Sequence, residues 1–169
     1  MSESLRDYTS LHLGGPAKKF VHATSEAELI EAIQAADSLG EPLLIMGGGS
    51  NVLIGDSGFA GTVIRVETKG NGFQFDACSG GMISVAAGED WDGFVAETID
   101  RGFAGLETLS GIPGTVGASP IQNIGAYGHE VSEFIARVKT WDRKVGALKT
   151  FSNSECEFEY RNSRFKRED

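Results

Sequence analysis

The stretch GGGSNVLIG, residues 47–55, decides how the first part of this chain folds. It follows the apolar run PLLIM (42–46), which has the composition of a buried strand, and it leads at once into a second apolar run, Val52 to Ile54. Glycines in such a place mark a tight turn or a close approach of the backbone to a neighbour or a ligand. The loop is therefore either an ordinary turn or part of a binding site.

Neither common nucleotide-binding motif fits this loop. A dinucleotide fingerprint needs a helix directly after the loop and an acidic residue about 20 positions further on, and the apolar run leaves no room for that helix. A P-loop needs a lysine for the terminal phosphates, but no lysine lies between Lys19 and Lys69. Two interpretations remain: a glycine-rich turn, or a strand-to-strand loop whose N–H groups, aided by Ser50 and Asn51, hold a pyrophosphate.

A second glycine-rich region, LSGIPGTVGASPIQNIGAYG (109–128), is called the long segment below. Loops longer than about 12 to 15 residues inside a compact domain are usually functional or disordered, and the apolar side chains here disfavour disorder. Small residues, apolar side chains and the amides of Gln122 and Asn123 suit a flat, mostly apolar ligand such as a flavin ring. The alternative is a structural Ω-loop.

The third region is YRNSRFK (160–166). Tyr160, Asn162 and Ser163 flank Arg161 and can orient its guanidinium, whose planar fork suits a carboxylate or a developing enolate. The alternative is a surface arginine in a basic turn. The three histidines have no metal-ligand spacing, so we expect no metal site.

Composition narrows the classes of partner. A net charge of -9 argues against nucleic-acid and anionic-membrane surfaces, which need clustered Lys and Arg. No apolar run approaches the length of a membrane span. Cys78 and Cys156 lie far apart and are interpreted as reduced thiols of a cytoplasmic protein. A ligand phosphate must then be held largely by neutral backbone donors.

Hydrophobic periodicity predicts two α+β subdomains, residues 1–66 and 67–169. The first has a strand at 18–23, a helix from Ser25 to Leu39 and strands at 42–46 and 62–66; the second has a strand pair, a helix from Trp91 to about Arg101 and a hairpin formed by 136–141 and 147–151. The hairpin lies near the end of an unfinished sheet. We therefore expect the second subdomain to be incomplete and the sequence to be a fragment.

Together these regions resemble the UDP-N-acetylenolpyruvoylglucosamine reductases, flavoenzymes of peptidoglycan precursor synthesis. The motifs YTSLHLGGPA (8–17), GGGSNVL (47–53), FAGLETLSGIPGTVGASPIQNIGAYG (103–128) and CEFEYRNSRFK (156–166) match in order and span nearly the whole chain. The resemblance implies the FAD-binding fold of the vanillyl-alcohol oxidase and p-cresol methylhydroxylase type, an α+β fold of two subdomains, with the C-terminal substrate domain absent from this sequence. Val52 to Ile54 would resume the sheet, because this family has no helix there.

The resemblance also implies the reaction. NADPH reduces FAD, and the flavin passes hydride to UDP-N-acetylenolpyruvoylglucosamine to give UDP-N-acetylmuramate. The resemblance places this reaction in the cytoplasm, where it serves cell-wall biogenesis and, through the wall, cell shape, the cell cycle and cell division. Arg161 matches the catalytic arginine, with Tyr160 beside it. The family's protonating serine and catalytic glutamate lie beyond the matched region, so we expect the 169-residue chain alone to be inactive. Neither protein partners nor the residues that bind NADPH can be inferred.

The resemblance implies a cofactor-binding set in two groups. The pyrophosphate group comprises Gly47, Gly48, Gly49, Ser50 and Asn51, and the ring group comprises Ile112, Pro113, Gly114, Gly117, Ala118, Ser119, Ile121, Asn123, Gly125 and Ala126. Two alternatives stay open: a non-catalytic or vestigial flavin-binding protein, and another FAD-linked oxidase of the same cofactor fold.

Overall fold

The computed structural model describes residues 3–76 and 80–167. The chain divides into two compact units, Met1–Lys69 and Gly70–Asp169, and each contains both helix and sheet. Among the described residues no helix is both long and apolar enough to cross a membrane.

Unit 1 is built on a parallel sheet of three strands. β1 (Ala17–Ala23), β2 (Leu43–Met46) and β3 (Phe59–Val66) lie in the order β1-β3-β2, so the strand that is last in sequence is central. Both neighbours run parallel to β3. Its residues Thr62 to Ile64 are buried, as expected for the middle strand of such a sheet.

Helix α1 (Glu26–Ser38) joins β1 to β2, and its predicted boundaries are confirmed within a residue or so. Ser25 caps it by accepting a hydrogen bond from the Glu28 amide at 3.2 Å. The Glu28 carboxylate accepts a bond of 2.8 Å from the amide of Thr24, one residue before the cap. Gly40 ends the helix at a φ of 62°, which costs glycine little. Local sequence therefore defines both ends of α1.

The connection from β2 to β3 corrects the sequence interpretation. Because these neighbouring strands are parallel, the chain must return from the carboxyl end of β2 to the end of the sheet at which β3 begins. Residues 47–58 make this return without a helix. The prediction that Val52 to Ile54 resume the sheet is wrong: β3 begins at Phe59. Val52 and Ile54 instead pack, half-buried, on an apolar core. Residues 47–58 are called the crossover loop below.

Unit 2 begins with the hairpin of β4 (Asn71–Asp76) and β5 (Gly80–Val85), followed by helix α2 (Trp91–Asp100). Asp90 caps α2 through a 2.9 Å bond from the Gly93 amide, and Gly102, at a φ of 81°, follows its end as predicted. The core contains Trp91, Val95, Leu109, Ile124 and Val131. Two of these five residues belong to the long segment, which is therefore part of the unit's core.

The rest of unit 2 is mostly irregular. A 3₁₀ turn, Leu106–Leu109, leads into the long segment, and a second one, Val116–Ala118, lies within it. The end of the segment forms one strand of a small hairpin of β6 (Gly125–Ala126) and β7 (His129–Glu130). The predicted second hairpin is confirmed as β8 (Arg137–Asp142) and β9 (Ala147–Ser152), and a single turn, α3 (Arg164–Arg167), follows it.

Candidate functional site

The predicted pyrophosphate residues in unit 1 begin directly after the last residue of β2. Gly47 is half-buried and Gly48 is exposed, whereas Gly49 is buried at a φ of 69°. The Gly49 carbonyl accepts a 3.2 Å bond from the Ser10 amide. A Cβ at Gly49 would lie 1.9 Å from the Tyr8 carbonyl oxygen, so only glycine fits there. The N-terminal segment thus sets the shape of the loop.

The crossover loop has the donors and the position that a phosphate group requires. Outside the strand ladders, no backbone hydrogen bond joins Gly47 or Gly48 to another residue in the ranges 3–76 and 80–167. The loop also lies at the carboxyl end of a parallel strand, the edge where open sheets of this kind bind ligands. The residues present therefore fit the pyrophosphate of FAD.

In unit 2, the start of the long segment is fixed to α2. The indole Nε1 of Trp91 donates a buried 2.8 Å bond to the Leu109 carbonyl. The carboxylate of Asp92 accepts bonds from the Gly111 amide at 2.6 Å and the Ser110 hydroxyl at 2.8 Å. These two donors lower the pKa of Asp92, the Gly111 amide contributing most. The helix thereby holds the entrance to the segment through side chains.

The next turn of the long segment pairs with the chain in front of α2. Amides of Val116 and Gly117 donate to the carbonyls of Glu89 and Ala87 at 2.9 and 2.8 Å. A Cβ at Gly117 would lie 2.5 Å from the Cβ of Ala87, so the two strands of chain are too close for a side chain. Gly114, through its carbonyl, accepts from the Trp91 amide at 3.1 Å. This part of the segment is therefore a packed structural turn.

Asn123 lies at the centre of the segment and is fully buried. Its Nδ2 donates to the Glu130 carboxylate at 2.7 Å and to the Glu159 carbonyl at 3.0 Å, and its Oδ1 accepts from the Ser132 amide at 3.1 Å. An asparagine amide has two N–H donors, and both are used here. The side chain joins three separate parts of unit 2.

The tyrosine–arginine region forms a tight hairpin. The amides and carbonyls of Glu159 and Asn162 exchange two 3.0 Å bonds, which leaves Tyr160 and Arg161 at the tip. Ser163, fully buried, donates to the Ile121 carbonyl at 2.6 Å and fixes the base of this hairpin to the long segment. We call residues 159–162 the tip hairpin.

Arg161 meets the long segment directly. One of its terminal nitrogens, Nη2, donates to the Gly125 carbonyl at 2.8 Å, and its backbone adopts a φ of 54°. The aromatic ring of Tyr160 is 6.0 Å from the guanidinium carbon. Tyr160 is 82% exposed, and Tyr127, at the tip of the small β6–β7 hairpin, is 90% exposed. A guanidinium held at the Gly125 carbonyl, with an exposed phenol ring beside it, can bind a planar anion.

A basic and acidic network braces the tip hairpin from α3. Arg167 pairs with the carboxylates of Glu157 at 2.6 Å and Glu159 at 3.4 Å. Lys166 donates to the Arg161 carbonyl at 3.1 Å. Surface pairs of this kind contribute little individually, but several pairs around one turn restrict its motion.

The structure brings the predicted site residues together in two sets. Residues 47–51 belong to unit 1; residues 112–126 and the tip hairpin belong to unit 2, where they contact each other. In the ring group, Ser119 and Asn123 turn their side chains into the protein, and Ser119 donates to the Val116 carbonyl at 2.8 Å. The Asn123 side chain, buried and hydrogen-bonded through both donors and its oxygen, leaves only backbone atoms for a contact with FAD.

Sequence reasoning missed the residues that hold the segment: Asp92, Glu130 and the carbonyl of Glu159. Asp92 gives no local signal beyond its place at the start of a helix, and Glu159 is 36 residues from the amide that it accepts from. Such contacts join distant parts of the sequence, so spacing alone does not predict them.

The remaining sequence candidates are not part of these sets. Cys156 is a free, buried thiol whose pKa is raised by burial, which makes it inert at neutral pH. Cys78 lies outside the described residues. His22 and His129 are exposed and contact carboxylates. Within the part of the chain that the structure describes, no group of His, Cys, Asp and Glu could hold a metal ion.

Known proteins resemble this chain over nearly its whole length. The UDP-N-acetylenolpyruvoylglucosamine reductases of Cutibacterium acnes and Streptomyces avermitilis are 53% and 51% identical to this chain over 97% and 96% of its length. The match covers only 44% and 43% of those proteins. This chain thus spans less than half the length of the curated relatives that it matches.

Solved structures show the same fold. The UDP-N-acetylenolpyruvylglucosamine reductase of Thermus caldophilus superposes with a TM-score of 0.76 at 30% identity, over 96% of this chain and 56% of that one. A vanillyl-alcohol-oxidase-type flavoprotein of Myceliophthora thermophila superposes with a TM-score of 0.65 at 16% identity, over 85% of this chain and 28% of that one, and therefore shares the fold alone. These matches confirm the predicted fold class. The model of the FAD binding domain matches residues 17–152, and the chain belongs to that family.

Proposed function

We propose that this chain is the FAD-binding part of a UDP-N-acetylenolpyruvoylglucosamine reductase, which uses NADPH to reduce the enolpyruvyl group of its substrate to the lactyl group of UDP-N-acetylmuramate. The observation that carries the proposal is the 2.8 Å bond from Arg161 to the Gly125 carbonyl, which fixes a guanidinium against the segment predicted to surround the flavin ring. The names of the relatives supply the substrate.

FAD, the cofactor of the family, supplies the hydride when it is bound. In this proposal Gly47 to Asn51 hold its pyrophosphate through backbone donors, because an acidic chain offers few cations for that task. The ring is held by the accessible members of the ring group. Six of them are half-buried, Ile112, Gly114, Gly117, Ala118, Gly125 and Ala126, and two are exposed, Pro113 and Ile121.

Arg161 acts on the substrate carboxylate. When hydride adds to one carbon of the enolpyruvyl double bond, the electron pair of that bond moves toward the carboxylate, and the other carbon then takes a proton. A guanidinium that is already fixed stabilises this developing charge without having to reorganise. The guanidinium of Arg161 has five N–H donors, and the Gly125 carbonyl uses one of them, so the others can bind the substrate carboxylate. Tyr160 lies beside it as a wall of the carboxylate site.

The substrate also implies a biological setting. A nucleotide sugar and NADPH are both cytoplasmic metabolites of a cell that makes peptidoglycan, so we place the reaction in the cytoplasm. There it would serve cell-wall biogenesis and, through the wall, cell shape, the cell cycle and cell division.

A chimera tests the proposal. This chain is fused to the remainder of the Cutibacterium acnes reductase, which is 53% identical over the matched region. With FAD, NADPH and UDP-N-acetylenolpyruvoylglucosamine, the chimera should form UDP-N-acetylmuramate, detected by mass spectrometry. A folded chimera that binds FAD and oxidises NADPH only with oxygen would contradict the proposal and favour a non-catalytic flavin-binding protein.

A further inference from the structure

We propose that Asn123 is a positioning residue for Arg161, acting as the side chain that holds the tip hairpin (159–162) on the long segment (109–128). The inference rests on the proposed role of Arg161. It assigns to the Asn123 side chain a task different from the contact with FAD that the sequence suggests.

The Asn123 amide has no donor left for a ligand. The side chain is fully buried, and both Nδ2 hydrogens are used, by the Glu130 carboxylate at 2.7 Å and the Glu159 carbonyl at 3.0 Å. Its Oδ1 accepts from the Ser132 amide at 3.1 Å. Buried polar groups satisfied at every atom define one arrangement of the chain around them, because breaking any one bond leaves an unpaired group.

A series of hydrogen bonds connects Asn123 to the guanidinium of Arg161. Glu159, which accepts from Asn123, is also the residue whose backbone pairs with Asn162 to close the tip hairpin. The Ser163 hydroxyl fixes the other arm of that hairpin to the Ile121 carbonyl. With both arms held, the Arg161 side chain reaches the Gly125 carbonyl, two residues after Asn123. The same short stretch of the long segment therefore holds both arms and the arginine.

Asn123 and Arg161 both have a left-handed backbone conformation. Asn123 has a φ of 47° and Arg161 a φ of 54°. Asparagine tolerates this left-handed region because its short amide bonds locally, whereas arginine there is uncommon and needs its surroundings to hold it. Part of the free energy of the Asn123 bonds thus offsets the strain at Arg161.

The most informative variant is Asn123→Asp. Aspartate has the same shape and also tolerates a positive φ, so the backbone is retained. The carboxylate keeps the acceptor for the Ser132 amide but loses both donors, and it faces the Glu130 carboxylate and the Glu159 carbonyl. We expect the arm that contains Glu159 to detach from the long segment.

Asn153→Asp is a matched control. The Asn153 amide likewise donates two bonds to backbone, to the carbonyls of Ser132 and Ile135 at 2.8 Å each, but it does not contact the tip hairpin. The two variants make the same chemical change in the same unit. The double variant Asn123→Asp with Glu130→Gln replaces the repelling carboxylate by an amide that can donate to the new one, and it serves if the single variant fails to fold.

The first measurement does not depend on turnover. Amide hydrogen exchange of Glu159 and Asn162 in the 169-residue chain should become about tenfold faster or more in Asn123→Asp than in Asn153→Asp, because the bond that holds the Glu159 carbonyl is lost. Exchange across β8 and β9 should stay the same in Asn123→Asp. Equal exchange at Glu159 and Asn162 in the two variants would overturn the proposal.

The second measurement uses the chimera and separates the half-reactions. In Asn123→Asp, oxidation of the reduced flavin by the enolpyruvyl substrate should slow by roughly 10²-fold, because a displaced guanidinium loses its geometry, while FAD affinity and flavin reduction by NADPH change little. The double variant should recover part of that rate. Weakened FAD binding with equal damage to both half-reactions would overturn the proposal in favour of a cofactor role. A parent chimera that makes no product would sink the proposed function and leave the exchange test intact.

Discussion

The tightest glycine contacts of the two units are of different kinds. In unit 1, added Cβ atoms at Gly15, Gly49 and Gly58 would lie 2.0, 1.9 and 1.8 Å from backbone carbonyl oxygens of Asp56, Tyr8 and Pro16. In unit 2, added Cβ atoms at Gly81, Gly105 and Gly117 would lie 2.0, 2.5 and 2.5 Å from side-chain atoms of Phe103, Phe134 and Ala87. A side chain can be shortened by a second substitution, but a carbonyl oxygen cannot. Glycine is therefore irreplaceable at Gly15, Gly49 and Gly58 of unit 1, and conditionally replaceable at Gly81, Gly105 and Gly117 of unit 2.

The largest effect is expected for Gly49→Ala. The Cβ would overlap the Tyr8 carbonyl, and the φ of 69° disfavours any side chain, so unit 1 should lose roughly 3 to 5 kcal/mol of stability. Hydrogen exchange of the β1–β3 ladder under increasing denaturant measures this loss. Gly55→Ala is the matched control, since a Cβ there meets nothing within 4 Å. Equal stability of the two variants would mean that the backbone contact is not what requires glycine.

Arg161→Lys in the chimera should have the next largest effect. Lysine keeps the charge but loses the fork that is fixed at Gly125, so product formation should fall by about 10²- to 10³-fold. FAD binding and flavin reduction by NADPH should be largely retained. Arg143→Lys, in the exposed turn between β8 and β9, controls for the loss of an arginine. Equal slowing of both half-reactions would assign Arg161 to the flavin site instead.

Gly117→Ala tests whether glycine in unit 2 can be replaced conditionally. Overpacking against Ala87 should cost about 1 to 3 kcal/mol, measured by denaturation of the chain followed through tryptophan fluorescence, since Trp91 and Trp141 both lie in unit 2. Adding Ala87→Gly should restore part of the loss, although the Ala87 Cα at 2.9 Å stays close. No recovery in the double variant would place this contact in the same class as Gly49.

The sequence predicts those parts of the fold that short segments specify. Helix α1 has its cap at Ser25 and its stop at Gly40, and the β8–β9 hairpin has alternating residues on both sides of a turn. The prediction for Val52 to Ile54 fails because a short apolar run has the same sequence pattern whether it pairs in a sheet or packs on a core as part of a loop. Only the parallel register of β2 and β3, a contact between distant residues, requires the crossover.

The candidate site follows the same division. Arg161 and the glycines at 47–49 are recognisable from motifs, but the residues that fix them are not. An amide among small residues suits a binding loop, and that is what the sequence shows at Asn123; its partners Glu130 and Glu159 come from elsewhere in unit 2. What the sequence shows is the chemistry of the tip, and what it hides is the set of long-range bonds behind it.

The smallest effect is expected at Asp92, where a side chain holds the entrance to the long segment. The Gly111 amide and then the Ser110 hydroxyl lower its pKa below the ordinary Asp value of about 3.9. A lowered pKa means that the carboxylate stabilises the folded state at pH values above about 3.9 and that this contribution is lost as the pH falls through the lower, folded-state value. The NMR shift of the Gly111 amide proton should therefore titrate with a midpoint below that of an exposed Asp.

In Asp92→Asn the titration should vanish, and Gly111 should exchange somewhat faster at neutral pH because a charge-assisted bond becomes a neutral one. Asp100→Asn, at the exposed end of the same helix, should leave the Gly111 titration unchanged. A Gly111 midpoint at or above the ordinary value would show that the segment is not held through this carboxylate, and the contrast between backbone contacts in unit 1 and side-chain anchors in unit 2 would then have to rest on Asn123 and Ser163 alone.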